Sequence, residues 1–141
     1  MSYDLMVFEP SAAPRDRSAF MEWYRIQTEW SEEHSYDDPA NTSLVLQQWF
    51  AEFSKTYPPM NGPHAVSEDR LDDPFVTDHC IGKNLVYSAF AWSVAESALP
   101  AMRELALKHG AGFFDVSAEE GEILFPDFEE MRPKRWWPFR K

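Results

Sequence analysis

The chain has one cysteine among its 141 residues and no apolar run of membrane-spanning length. Because Cys80 has no second cysteine to pair with, it cannot form an internal disulfide, which favours a reducing compartment. A membrane-spanning helix needs about 20 predominantly apolar residues. The N-terminal apolar stretch also lacks the basic residues that begin a secretory signal. These absences predict a cytoplasmic protein with no membrane partner.

The motifs that identify several common chemistries are also missing from the sequence. It contains neither glycine-rich phosphate loop, G-x-G-x-x-G or G-x-x-x-x-G-K-[ST], and no G-x-S-x-G nucleophile motif. The zinc motif H-E-x-x-H and the calcium loop with its central glycine do not occur either. We therefore predict no metal and no cofactor, and we assign no catalytic residue.

Basic residues are scarce everywhere except at the C-terminus. All 24 acidic residues stand at or before Glu130 with only eight basic ones, which gives this part of the chain a formal charge of −16. Such a surface repels nucleic acid, whose binding depends on neutralising phosphates. The last ten residues, RPKRWWPFRK, carry the other five basic side chains, two Trp and one Phe. We expect one α+β domain over residues 1–131 and a basic aromatic tail, 132–141, packed on or near it. The alternative is a tail that binds a membrane surface or nucleic acid.

The remaining sequence predicts a folded α+β domain. Its 44% hydrophobic and 16% aromatic content is too high for a disordered chain. The order of elements reads β-α-α-β-β-α-β-β, which contains the ferredoxin-like order β-α-β-β-α-β. We expect an antiparallel-type sheet with the helices packed on one face. The predicted strands cover residues 3–8, 76–81, 85–92, 112–116 and 122–125, and the first helix covers 16–30.

The other two helices are predicted from apolar spacing and capping signals. Five apolar or aromatic residues recur at helical spacing in the second helix, after a cap at Asn41 or Thr42 and before two prolines: Leu46, Trp49, Phe50, Phe53 and Tyr57. Ser93 and Glu96 form a capping box that opens the third helix, although Pro100 then falls inside it.

An acidic loop, WSEEHSYDD, follows the first helix and supplies most of the candidate binding residues. It is either a solvated loop or a protein-binding surface, in which aromatic side chains anchor the partner and carboxylates steer it. Two aspartates in a second acidic group at 68–78 complete the set. The predicted binding residues are Trp30, Glu32, Glu33, His34, Tyr36, Asp37, Asp38, Asp72 and Asp73.

Two further segments carry weaker signals. His79 and Cys80 are neighbours on a predicted strand and point to opposite faces, so they cannot form a nucleophile dyad directly. We expect a buried Cys80 and an exposed His79. The Pro- and Gly-rich stretch 57–63 is either a helix stop with a turn, or a rigid loop that places Asn61 in a pocket beside the second helix.

In its segments YDLMVF (3–8) and GFFDVS (112–117), the chain resembles small acidic bacterial cytoplasmic proteins. Proteins of that style include immunity proteins, which neutralise toxins. The resemblance, together with the acidic surface, favours a protein-binding module that occludes a basic toxin. One alternative is a small enzyme with His34 or His79 as general base. Another is a homo-oligomeric structural or regulatory protein, and the sequence leaves its oligomeric state open.

Overall fold

A computed structural model describes residues 2–126, so the predicted tail at 132–141 lies outside the described residues. This part of the chain is α+β, as expected, with a five-stranded antiparallel sheet and three α-helices. The strands are β1 Tyr3–Phe8, β2 Asp78–Ile81, β3 Leu85–Phe90, β4 Gly112–Phe114 and β5 Ile123–Leu124. The α-helices are α1 Arg17–Gln27, α2 Leu44–Phe53 and α3 Trp92–His109.

The central strand β1 is apolar on both of its faces. The sheet order is β2-β3-β1-β4-β5, and every neighbouring pair is antiparallel. Leu5 and Val7 point to one side of the sheet and Met6 and Phe8 to the other, and all four are fully buried. Because successive side chains of a strand alternate between faces, both faces must be covered by other elements.

Helices α2 and α3 cover the face that carries Leu5 and Val7. Residues spaced four apart on α3 are buried against this face: Val94, Ala98, Met102 and Ala106. On α2, the rings of Trp49 and Phe53 stack with their centroids 4.7 Å apart, and Leu46 is buried beside them. This is the amphipathic helix that the sequence predicted.

The opposite face packs against α1, so the prediction that the helices lie on one face was wrong. Phe20 of α1 is fully buried with Met6, Phe8 and Phe114. Its ring lies 5.0 Å from that of Phe8 and 5.3 Å from that of Phe114. The run LMVF has no polar alternation, and a strand without it requires cover on both sides.

Four helix ends differ from their predicted positions, and one of them is the end of α2 at Phe53 rather than at Tyr57. Helix α1 ends at Gln27 rather than Trp30, whose backbone is left-handed with φ 55°. Ser43 caps α2 by accepting the N–H of Leu46 at 3.3 Å, in place of Asn41 or Thr42. Helix α3 already begins at Trp92, with no side-chain cap, and continues through Pro100. Its packing against the sheet outweighs the cost of that proline.

Candidate functional site

The acidic loop at 32–38 is bound to the turn between β2 and β3. Oε1 of Glu32 accepts the backbone N–H of Lys83 at 2.9 Å and lies 2.5 Å from Nε2 of His34. The other ring nitrogen of His34 donates to the carbonyl of Ser35 at 2.6 Å. That carbonyl, followed by the Glu32 carboxylate, raises the pKa of His34. Glu32 and His34 therefore hold the loop in place.

The aromatic residues of this loop make internal contacts. The hydroxyl of Tyr36 accepts the N–H of Glu32 at 2.6 Å, and its carbonyl accepts the N–H of Ile81 at 2.7 Å. Trp30 packs edge-on against Tyr36 and Tyr87, with ring centroids 5.1 and 6.0 Å away. A half-buried ring that already packs against its own protein offers less new contact area to a partner.

The remaining carboxylates of the loop divide into two kinds. Asp38 caps the short 3-10 helix Pro39–Asn41 by accepting the N–H of Ala40 at 2.9 Å. The side chains of Glu33 and Asp37 form no ion pair or hydrogen bond with another residue of 2–126. Glu33 is exposed and Asp37 half-buried.

The second acidic group lines a groove at the start of β2, whereas the 32–38 loop is bound at the end of that strand. This Asp78 groove holds about 530 Å³ and is lined on its polar side by Asp72, Asp73 and Asp78. Ala89 of β3 pairs with Asp78 on one side and with Asp4 of β1 on the other, so both carboxylates share a face with a small residue between them. Directly opposed side chains lie about 5 Å apart.

The Asp78 groove is negatively charged. Asp73 accepts the N–H of Phe75 at 2.9 Å and pairs with Arg70 at 3.2 Å, and these two contacts lower its pKa. Within residues 2–126, neither Asp72 nor Asp78 forms an ion pair or a side-chain hydrogen bond. Among residues 2–126, Arg70 pairs with Asp73, and no lysine or arginine pairs with Asp72 or Asp78.

Exposed apolar side chains adjoin this groove. Leu71 lines it and is 49% exposed, and Phe75 beside it is 39% exposed. A smaller groove of about 350 Å³, the Trp92 shelf, includes Tyr3 of β1 and Trp92, Glu96 and Leu99 of α3. Trp92 is 55% exposed and meets the edge of Tyr3 at 5.1 Å. Exposed Leu71 thus lines the groove with the carboxylates, and Trp92 follows the lining residue Ala91 in the chain.

The structure does not bring the two predicted acidic segments together. The 32–38 loop joins the edge strand β2 at Ile81, and the Asp78 groove begins at Asp78. At about 3.3 Å per residue, these two positions lie about 10 Å apart along the strand. Asp72 and Asp73 belong to the groove, whereas the predicted residues from Trp30 to Asp38 lie outside it.

His79 and Cys80 point to opposite faces, as expected, but their predicted burial was wrong. His79 is 4% exposed, and Cys80 is half-buried. Nε2 of His79 donates to the Tyr57 carbonyl at 2.9 Å, which leaves Nδ1 to accept the hydroxyl of Ser88 at 2.7 Å. Burial lowers the pKa of His79 to about 4, and burial followed by Asp78 raises that of Cys80 to about 11. Neither group is tuned for catalysis near neutral pH.

Sequence reasoning missed two residues of the surface, Trp92 and Ala89. Trp92 was assigned to the end of a strand, where its ring could face the core. The strand instead ends at Phe90, and Trp92 opens α3 with its ring outward. The one sequence feature that could have drawn attention to Trp92 is its position just before the predicted start of the third helix. That position does not indicate that the ring is exposed. The position of Ala89 between two carboxylates follows only from the pairing of the strands, so the sequence alone could not indicate it.

Comparison with known proteins gives no family: no protein-family model, curated protein or solved structure matches the chain significantly. None of the helices between residues 2 and 126 has the length and apolarity to cross a membrane. No group of three or more His, Cys, Asp or Glu side chains in that part of the chain is arranged to hold a metal ion. The cytoplasmic location stays a prediction.

Proposed function

We propose that this protein is a protein-binding module of the immunity type, which occludes the basic face of a toxin. The observation that carries the proposal is the Asp78 groove, where Asp72 and Asp78 are unpaired among residues 2–126 and exposed Leu71 lines the same groove. Exposed Trp92 follows the lining residue Ala91 in the chain and belongs to the Trp92 shelf. A toxin that binds phosphate presents arginine and lysine, and these are the complement of this surface.

The two components of the surface have different roles in such a complex. The carboxylates attract a basic partner over a distance and speed its association, and they disfavour acidic partners. Trp92 and Leu71 lose their remaining solvent exposure on contact, and a tryptophan at the centre of an interface often dominates the binding energy. The proposal differs from the sequence-based one in its anchors, because Trp30 and Tyr36 make internal contacts.

The enzyme alternative draws less support from the histidines that the sequence suggested. Both ring nitrogens of His79 are bonded to protein groups in a buried setting. His34 is likewise bonded at both nitrogens, to Ser35 and Glu32. A general base needs a free lone pair within reach of substrate.

We also propose that the sheet is a ferredoxin-like variant. The proposal is supported by the strand order β2-β3-β1-β4, and by the packing of α2 and α3 on one face. In this view α1, on the opposite face, and the edge strand β5 are additions.

Affinity capture from cells of the native host tests the proposed function. The wild-type chain and Trp92→Ala serve as baits, and each captured protein is identified and then purified. We expect a basic protein that binds wild type in a salt-sensitive manner, binds Trp92→Ala at least about tenfold more weakly, and loses its toxicity in an equimolar complex. Capture of no basic protein, or of one whose toxicity survives in the complex, would contradict the proposal.

A further inference from the structure

A second groove lies on the outer side of α2, away from the Asp78 groove. It holds about 530 Å³, within the size range of small-molecule sites. Its floor is the ring of Phe50, which is held edge-on against His79 with ring centroids 5.1 Å apart. Pro39, Pro58 and Pro59 form its walls. Proline rings offer no N–H and little freedom, so these walls are apolar and largely preformed.

The two rims of this α2 groove are held together by one close contact. Gly62 has φ 91°, and a Cβ added there would lie 2.0 Å from the carbonyl oxygen of Asp37. That contact fixes the loop carrying His64 beside the segment carrying Asp38, and both residues line the groove. Thr77 fixes the same loop from its other side, since its N–H donates to the Pro58 carbonyl at 2.8 Å.

The polar groups of the α2 groove define the ligand. Asp38 is its carboxylate, and only its Oδ1 is engaged by the N–H of Ala40. The other polar side chains are Gln47, Ser54 and His64, and no lysine or arginine among residues 2–126 lines the groove. A carboxylate beside an aromatic ring and proline rings complements a cation attached to a ring.

We propose that the α2 groove binds a small organic cation, a protonated amine on a flat apolar body. The ammonium group pairs with Oδ2 of Asp38, which accepts no hydrogen bond from residues 2–126, and the ring lies over Phe50 between Pro39 and Pro58. Gln47 and Ser54 supply further hydrogen bonds at the rim. This site is separate from the proposed protein-binding surface, so either can be wrong without the other.

Three indole probes of matched size test the proposal: tryptamine, tryptophol and indole-3-acetate, which are cationic, neutral and anionic. Each is titrated into the full chain at pH 8, above the range in which imidazoles ordinarily take up a proton, and followed by amide chemical shifts. We expect saturable tryptamine binding with shifts centred on Ala51 and His64. Tryptophol should bind about tenfold more weakly and indole-3-acetate more weakly still.

Three variants separate the site from general attraction to an acidic protein. Asp38→Asn keeps a capping acceptor for Ala40 but loses the charge, and should weaken tryptamine about tenfold without affecting tryptophol. Ala51→Leu fills the groove from the exposed side of α2 and should remove binding of both. Glu33→Gln, an exposed carboxylate in the same loop, should change neither. The proposal is overturned by equal affinity for the three probes, by tryptamine shifts centred elsewhere, by unchanged binding to Asp38→Asn, or by no saturation at about 10 mM.

Discussion

The two acidic segments of this chain have similar composition but different structural roles. In the 32–38 loop, Glu32 and Asp38 accept backbone N–H groups, and the aromatic Tyr36 bonds back to Ile81. In the 71–78 segment, Asp73 is bonded in the same way, but Asp72 and Asp78 line a groove beside exposed Leu71. Among residues 2–126, two carboxylates of each segment are unpaired: Glu33 and Asp37 in the loop, and Asp72 and Asp78 in the groove.

The difference between them lies in the apolar side chains rather than in the charge. Trp30 packs on Tyr36 and Tyr87, whereas Leu71 and Trp92 stay exposed. Surface charges attract a partner, but buried apolar anchors supply most of the binding energy. An acidic segment without outward anchors is therefore expected to stabilise the fold, and one with them to bind.

The largest expected effect is on the contact that holds the 32–38 loop in place. Gly62→Ala forces a Cβ to within 2.0 Å of the Asp37 carbonyl oxygen in a left-handed backbone. We expect a loss of at least about 3 kcal/mol in the free energy of unfolding. Gly110→Ala is the control, because Gly110 is also left-handed but has no atom within 4 Å of an added Cβ. It should cost only about 1 kcal/mol. Equal losses in urea unfolding would refute the role given to the Gly62 contact.

The second effect separates the two histidines. Burial holds the pKa of His79 at about 4, so below pH 6.5 the unfolded chain takes up a proton that the folded chain does not. The contribution of His79 to the free energy of unfolding is therefore complete above pH 6.5. It falls by about 3 kcal/mol as the pH drops to 4. The pKa of His34 is shifted the other way, so its contribution is complete below pH 6.5 and is lost as the pH rises through its raised pKa.

Imidazole resonances measured by NMR between pH 4 and 8 check both shifts. As the pH falls, His34 should take up its proton at a higher pH than His79. His79→Gln should flatten the decline in unfolding free energy between pH 6.5 and 4.5, relative to wild type. A His79 that is already protonated at pH 6 would show that its burial is wrong.

The smallest effect compares single carboxylates of the two segments. Glu32→Ala removes the acceptor of Lys83 N–H and the partner of His34, and should cost about 1–2 kcal/mol. Asp72→Ala removes a carboxylate that bonds to nothing else within residues 2–126, and should stay within about 0.5 kcal/mol of wild type. Thermal unfolding of the two variants side by side measures the difference. A larger loss for Asp72→Ala than for Glu32→Ala would contradict the assignment of the structural carboxylates to the 32–38 loop.

The sequence predicted the elements of the fold better than their arrangement. Helical spacing located α2, and two strand-like runs joined by the turn Gly82-Lys83-Asn84 located β2 and β3, because these patterns are local. Which face α1 covers depends on Phe20 meeting Phe8 and Phe114, residues far apart in sequence. The burial of His79 likewise depends on Tyr57 and Ser88, which no local pattern identifies.

The candidate site was predictable only in its charge. Asp72 and Asp73 could be proposed because acidic clusters are visible in the sequence. Their groove, however, requires the register that places Asp78 and Asp4 on either side of Ala89. Likewise, Tyr36 could not be recognised as a structural residue until its bonds to Glu32 and Ile81 were known.

The most direct test of the central claim removes two unpaired carboxylates from each segment in turn. The double variants are Asp72→Asn with Asp78→Asn in the groove, and Glu33→Gln with Asp37→Asn in the loop. The dissociation constant of the captured basic partner is measured for each by titration calorimetry. The groove variant should bind at least about tenfold more weakly than wild type, and the loop variant within about twofold. Equal weakening, or a larger loss in the loop variant, would contradict the account.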